Sequence, residues 1–295
     1  MKHHATVDGL PSLFVERLRR QFPHEVEEML STFHQRPPVL RINTLMIEPK
    51  KIKAELLREG IETKQIHELP DALWVPNADR KRLTDLPAYL QGQIYLQSVA
   101  SQLVVKALDP QPGEKILDLC AAPGSKTTQI GILMKKRGEL IANEPNKGRF
   151  FKLRANLKHQ HLEDFVQTKS YPGQNYPRYY PEYFDKVLVD APCSSEARFD
   201  RDGAKTIAYW SNHKIKAFAR LQKKLLSAAI LCCRQGGTIV YSTCTFAPEE
   251  NQLLIDAVIK KHPEISMPID AVQLKPDVLR EGFFIAVLLK KNHAS

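Results

Sequence analysis

Two cysteines stand in settings suited to chemistry. Cys193 lies in Asp190-Ala191-Pro192-Cys193-Ser194-Ser195 and Cys244 in Tyr241-Ser242-Thr243-Cys244-Thr245. Each follows an apolar run that reads as a strand, and each is flanked by small residues. A lone Cys inside apolar sequence is usually a small hydrophobe, and that reading is given to Cys232 and Cys233. A thiol at a strand terminus among polar neighbours can ionise and act as a nucleophile. A third segment, Ile116-Leu117-Asp118-Leu119, runs into Cys120-Ala121-Ala122-Pro123-Gly124-Ser125-Lys126. Small residues there let the backbone approach a ligand. Ser125 is expected to cap the following helix, whose N-terminus favours an anionic group. The turn is neither a Walker A loop nor GxGxxG, so phosphate clamping by those designs is excluded. About twenty residues on, Glu144 closes a second strand, where an acidic side chain suits a ribose diol. Nothing nearby marks a dinucleotide, and a compact ligand such as S-adenosylmethionine fits better.

The elements that must carry these residues follow from periodicity. Candidate strands are Lys115–Leu119, Glu139–Asn143, Phe165–Thr168, Lys186–Val189, Thr238–Ser242 and Phe283–Leu289. Between them lie candidate helices Ser125–Lys136, Asn146–His159, His213–Cys233 and Pro248–Lys261, preceded by Gln97–Leu108. This alternation predicts an α/β, doubly wound, mostly parallel sheet, with ligands at the carboxyl ends of its strands. The last strand is free to pair antiparallel. The segment before it reads as a small α+β unit: a helix over 10–34 stopped by Pro37 and Pro38, a strand over 39–43, a helix over 50–59 closed by Gly60, and a strand over 72–75. The expected domains are residues 1–90 and 91–295.

Composition narrows the setting. The chain has 295 residues, 43% hydrophobic and 26% charged, an ordinary globular balance. Lys plus Arg is 43 against 33 Asp plus Glu, a net charge of +10 that favours an anionic partner. Five irregularly spaced cysteines make no disulfide framework and no CxxC zinc pair, so no metal is expected. No apolar run has the length of a membrane span, and no signal peptide opens the chain. A cytoplasmic, monomeric protein with free thiols is the expectation.

The motifs Leu117–Lys126 (LDLCAAPGSK), Asp190–Ser195 (DAPCSS) and Tyr241–Asn251 (YSTCTFAPEEN) together resemble those of the RsmB/Nop2/Sun family of RNA cytosine-C5 methyltransferases. Leu40–Thr44, Gln93–Ser101 and Glu281–Phe284 add to the resemblance, which runs from about Arg36 to Lys290. It implies a Rossmann-like class I methyltransferase fold, S-adenosylmethionine as donor and an RNA cytosine as acceptor, in rRNA or tRNA with a slight preference for rRNA. The chemistry needs a thiolate to add at C6, because C5 of cytosine is a poor nucleophile until the ring becomes an enamine. Chemistry alone leaves open which thiol adds; the resemblance implies Cys244 as nucleophile and Cys193 as the aid to product release. It also implies a role for Asp190 at the methionine amino group or the cytosine amine, for Lys126 beside the thiolate or the base, and for Cys120–Lys126, Glu144, Ser170 and Asp190 around the cofactor. Ser170 departs from the family, which usually carries an acid there. Glu196-Ala197-Arg198 also departs, standing where a Glu-Gly pair is common, and is expected to reshape the pocket lip.

RNA contact is expected from Lys147, Arg154 and Lys158 on one helix and from the clusters Lys135–Arg137 and Arg80–Arg82. Tyr171–Phe184 reads as a packed aromatic loop rather than a stacking surface. The target base must be unpaired or flipped out. The rival function is a catalytically weak RNA-binding or ribosome-assembly factor that keeps the fold, supported only by Ser170. A DNA methyltransferase is disfavoured by the threonine-cysteine motif and the lack of a large recognition insert.

Overall fold

The computed structural model describes residues 6–76, 80–201, 203–208 and 210–292. A short hairpin of β1 (Thr6–Val7) and β2 (Leu10–Pro11) leads into α1 (Ser12–Gln21) and α2 (Val26–Ser31). One helix over 10–34 was expected, and the structure corrects this to two. Pro23 disfavours helical backbone at the residue before it, and Phe22 takes φ −129° and ψ 64°. The apolar face survives the break, since Leu10, Phe14, Leu18, Val26 and Leu30 are all buried. They pack on Ala197, Phe199, Trp210 and Phe246, just beyond the two strand-end cysteines.

Next come β3 (Val39–Ile42), α3 (Pro49–Arg58), β4 (Lys64–Ile66), β5 (Leu69–Trp74), α4 (Arg80–Thr84), α5 (Pro87–Leu90) and β6 (Ile94–Leu96). The four strands form an antiparallel sheet in the order β4-β5-β3-β6. Ile52 and Leu56 of α3 join the core it shares with Leu40, Ile42 and Leu73. The fourth strand lies past residue 90, so this sheet reaches into the segment assigned to the second unit. Three residues are too few to show a period, which hid β6 in the sequence.

The larger unit contains α6 (Val99–Leu108), β7 (Lys115–Asp118), α7 (Ser125–Leu133), β8 (Glu139–Asn143), α8 (Lys147–His159), β9 (Val166–Lys169), β10 (Phe184–Asp190), α9 (Ala204–Ile207), α10 (Asn212–Cys232), β11 (Cys233–Thr243), α11 (Gln252–Lys261), β12 (Ile265–Ser266), β13 (Val272–Leu274) and β14 (Phe283–Lys290). The sheet order is β12-β14-β11-β10-β7-β8-β9, with β13 also on β14. Strands β7 to β11 run parallel and β14 is antiparallel to β11, giving the doubly wound sheet expected. α10 and α11 cover one face and α6, α7 and α8 the other, each over its own apolar core. Cys232 and Cys233 are fully buried in the first of these, as their apolar context predicted. No helix among the described residues is long and apolar enough to cross a membrane.

Candidate active site

β7 lies between β8 and β10: the chain winds outward through β8 and β9, then returns to the other side of β7. The crevice at the carboxyl ends of β7 and β10 is therefore a topological switch point, where such sheets bind ligands. The loop after β7 crosses it. The Leu119 N–H donates to Leu188 O at 2.9 Å and the Ala121 N–H to Asn143 O at 2.8 Å. Gly124 takes φ +107°, and a Cβ there would lie 3.0 Å from Leu153 Cδ1. It occupies the N-cap position of α7 without a side-chain bond, and Ser125 is the first helical residue. This corrects the expectation that Ser125 caps the helix: the turn needs left-handed backbone, so the cap falls on the residue without a Cβ.

Three positions flank this loop. Asp118 is buried, and Oδ2 accepts from Thr127 Oγ1 at 2.7 Å while Oδ1 has no hydrogen-bond partner among the described residues. Burial pushes its carboxyl up to about 7. Glu144 is buried at the end of β8, where it accepts from the Asn146 N–H at 2.8 Å and pairs with Arg149 at 3.3 Å. Arg149 also donates to Ala122 O at 2.7 Å, tying the loop to α8. Ser170 is exposed just past β9. The structure thus gathers Cys120–Lys126 and Glu144 at the crevice, while Ser170 brings no buried carboxylate to its rim.

The other strand ends bring the thiols together. β10 delivers Asp190 and the loop with Cys193, and neighbouring β11 delivers Ser242 and Cys244, with Asp190 registered opposite Ser242. Cys193 Sγ lies 3.3 Å from Cys244 Sγ. Either sulfur could donate across this gap; the contact with Cys193 lowers the Cys244 thiol well below its ordinary value despite burial, and the Arg198 charge and Ser195 Oγ at 3.6 Å lower it further. The same bond, together with burial, raises Cys193. The two thiols are thus shifted in opposite directions, Cys244 down and Cys193 up. Lys126, 4% exposed, reaches from the first turn of α7 to Asp190 Oδ2 at 2.7 Å, and Asp190 Oδ1 accepts from Ser242 Oγ at 2.9 Å. Cys120 borders the crevice, and burial holds its thiol protonated.

Several residues at the site were not singled out by the sequence. Arg41 of β3 is 2% exposed, with no carboxylate among the described residues in hydrogen-bond contact. It donates to Gln97 Oε1 at 2.6 Å, Ser125 O at 2.7 Å and Thr128 Oγ1 at 2.9 Å, fastening the small sheet to the first turn of α7. Glu196, named only within the segment expected to reshape the lip, is buried and holds Thr245 and Phe246, so it ties the two loops together. Glu250 and Gln222 grip the Cys193 loop from beneath. Glu250 sits within the YSTCTFAPEEN segment, but its reach back to another loop has no local signature. The cluster Lys135–Arg137 lies just before β8, at the amino ends of the strands and away from the thiols. That placement removes it from a track around this site, whereas α8 starts beside it. Within the aromatic stretch, Tyr176 and Phe184 are buried as expected, and Tyr171 and Tyr179 form an exposed stacked pair. Among the described residues no group of His, Cys, Asp and Glu could hold a metal ion.

The sequence profile of the 16S rRNA methyltransferase RsmB/F family matches residues 105–288, and that of the RsmF/B-like ferredoxin-like domain matches residues 10–79. Ribosomal RNA small subunit methyltransferase F of Cronobacter sakazakii is 32% identical over 286 residues, covering 93% of this chain and 59% of the relative. Its counterpart in Shewanella loihica is 34% identical over 220 residues, covering 73% of this chain and 45% of the relative. The chain thus spans about half the length of the curated relatives it matches. A methyltransferase homolog from Pyrococcus horikoshii superposes with a TM-score of 0.84 at 27% identity, covering 97% of this chain and 96% of that one. NSun6 from the same organism, solved with SFG, shares the fold at a TM-score of 0.84 and 22% identity, covering 97% and 100%. On the strength of the profile that spans its larger unit, the chain belongs to the 16S rRNA methyltransferase RsmB/F family.

Proposed function

We propose that the chain methylates C5 of an RNA cytosine with S-adenosylmethionine, and that the substrate is ribosomal RNA. The two strand-end thiols brought to 3.3 Å carry this reading. A single thiolate suffices for addition, so a second thiol one hydrogen bond away needs another task. The residues at the crevice fit the donor: Ala121 and Ala122 are small, Glu144 is the acidic side chain that would hold a ribose diol, and Asp118 Oδ1, without a hydrogen-bond partner among the described residues, would offer a further acceptor. S-adenosylmethionine supplies the methyl group. Cys244 as thiolate adds to C6 of the base and places electron density on C5. After methylation a base removes the C5 proton, the C6–S bond breaks with its electron pair returning to Cys244 as thiolate, and the Cys193 thiol, still protonated and within hydrogen-bond distance, assists release by stabilising that departing thiolate. Lys126 and Ser242 fix both oxygens of Asp190, whose remaining lone pairs can accept from the cytosine amine or the methionine amino group. The rRNA assignment follows the names of the relatives, and the excess of positive charge supports a polyanionic partner.

The test is nucleoside analysis of rRNA incubated with the protein and labelled donor. 5-Methylcytidine is expected with the wild-type chain and none with Cys244→Ala. Label on another atom or another base overturns the assignment. The exposed Ser170 favours one rival, a scaffold without turnover, and calorimetry separates the two: donor binding supports the enzyme and its absence the scaffold.

A further inference from the structure

The loops bearing the two thiols are held by carboxylates that cross between them. Glu196 follows Cys193 on its own loop, yet Glu196 Oε2 accepts from Thr245 Oγ1 at 2.7 Å and from the Phe246 N–H at 3.0 Å, the two residues after Cys244. Trp210 Nε1 donates to Oε1 at 2.9 Å and orients the carboxylate. Glu250 follows Cys244, yet Glu250 Oε2 accepts from the Ser194 N–H at 3.1 Å, next to Cys193. Gln222 Nε2 donates to the same oxygen at 2.6 Å and to Pro192 O at 2.8 Å, so the residues on both sides of Cys193 are held. Besides the contacts of Cys244 Sγ with Cys193 and Ser195, direct links run between the loops from the Ala197 N–H to Cys244 O at 3.1 Å and between Ser194 Oγ and Thr245 Oγ1 at 2.7 Å.

This arrangement is costly. Glu196 is 2% and Glu250 0% exposed, and neither forms an ion pair among the described residues. Glu250 Oε1 and Gln222 Oε1 have no hydrogen-bond partner among the described residues. Burial raises both carboxyls, Glu250 to about 7. An apolar pair of similar volume would avoid that desolvation. The carboxylates supply instead several convergent acceptors that fix the two backbones relative to one another. A misplacement of about 1 Å at a reacting group can lower a rate by about 10²-fold.

We infer that Glu196 and Glu250 are positioning residues forming a reciprocal latch, each anchored on one thiol loop and gripping the other, and that the Glu250–Gln222 half sets Cys193 for the release step. The inference rests on the proposed roles of the two thiols. Its test uses the full chain with RNA and donor, resolved on denaturing gels, for Cys193→Ala, Glu250→Ala and Gln222→Met. Gln222→Met keeps the volume and removes the donor to Pro192 and Glu250, which guards against a Glu250→Ala chain that does not fold. With release impaired more than addition, both latch variants are expected to accumulate the covalent RNA adduct while turnover falls by about 10²-fold. A merely structural defect lowers turnover without raising the adduct. If Cys193→Ala traps adduct and folded Gln222→Met does not, the latch is wrong. If Cys193→Ala itself traps none, the thiol roles beneath it are wrong.

Discussion

Replacing Cys193 with Ala removes the thiol in hydrogen-bond contact with Cys244 Sγ at 3.3 Å. That bond is the largest of the influences lowering the Cys244 thiol, ahead of the Arg198 charge and the Ser195 hydroxyl. A hydrogen bond to a charged group contributes about 1.5–3 kcal/mol. One pKa unit corresponds to about 1.4 kcal/mol, so the Cys244 thiol should rise by roughly 1–2 units in Cys193→Ala. Below that value the rate of alkylation falls about 10- to 100-fold, because the thiolate alone reacts. The assay is the rate of carbamidomethylation of the peptide containing Cys244, followed by mass spectrometry across a pH series. Burial pushes Cys232 and Cys233 up to about 12, so they stay silent over most of that series. Cys193→Ser retains an O–H donor and should shift the profile less. A profile unmoved in Cys193→Ala refutes the argument that this bond lowers the Cys244 thiol.

Three further outcomes follow from the same geometry. Lys126→Met leaves Asp190 without its cation and Asp190→Asn leaves a buried ammonium; each should cost about 3 kcal/mol, the low end for a broken buried pair because 26% of the Asp190 side chain is exposed. The double variant should cost less than the sum in urea denaturation, and strict additivity contradicts the pairing. Gly124→Ala forces a Cβ into left-handed backbone and against Leu153, and should lose about 1–3 kcal/mol together with donor affinity, checked by denaturation and calorimetry. Asp118 is raised from 3.8 to about 7, so the folded chain keeps a proton that the unfolded chain releases between those values. Its contribution is present at acid pH and lost as pH rises toward 7. Asp118→Asn should flatten that decline in melting temperature, and parallel curves for the two proteins contradict it.

The parallel sheet was readable in the sequence because strand–helix alternation over the larger unit is a strong, local signal, and β7, β8 and β10 fall where the apolar runs place them. The cysteines were readable for the same reason: Cys244 directly follows β11, and Cys193 lies three residues past the end of β10. What escaped depends on contacts between distant segments. Glu250 and Gln222 lie far from Cys193 in sequence and meet it only through the fold. Arg41 reads as one polar residue in a strand, and its buried role appears only when α7 is laid against the small sheet. The position of the α7 cap turned on a single backbone angle at Gly124, which residue preference alone assigned to Ser125. The break between α1 and α2 was signalled by Pro23, but the apolar spacing continued across it and outweighed the breaker.

The central claim is that Cys244 attacks and Cys193 releases. Peptide mapping of the covalent RNA adduct trapped by Cys193→Ala tests it most directly. The account predicts the nucleotide on Cys244, with no adduct once Cys244 is also replaced. An adduct that forms in Cys244→Ala and maps to Cys193 contradicts it.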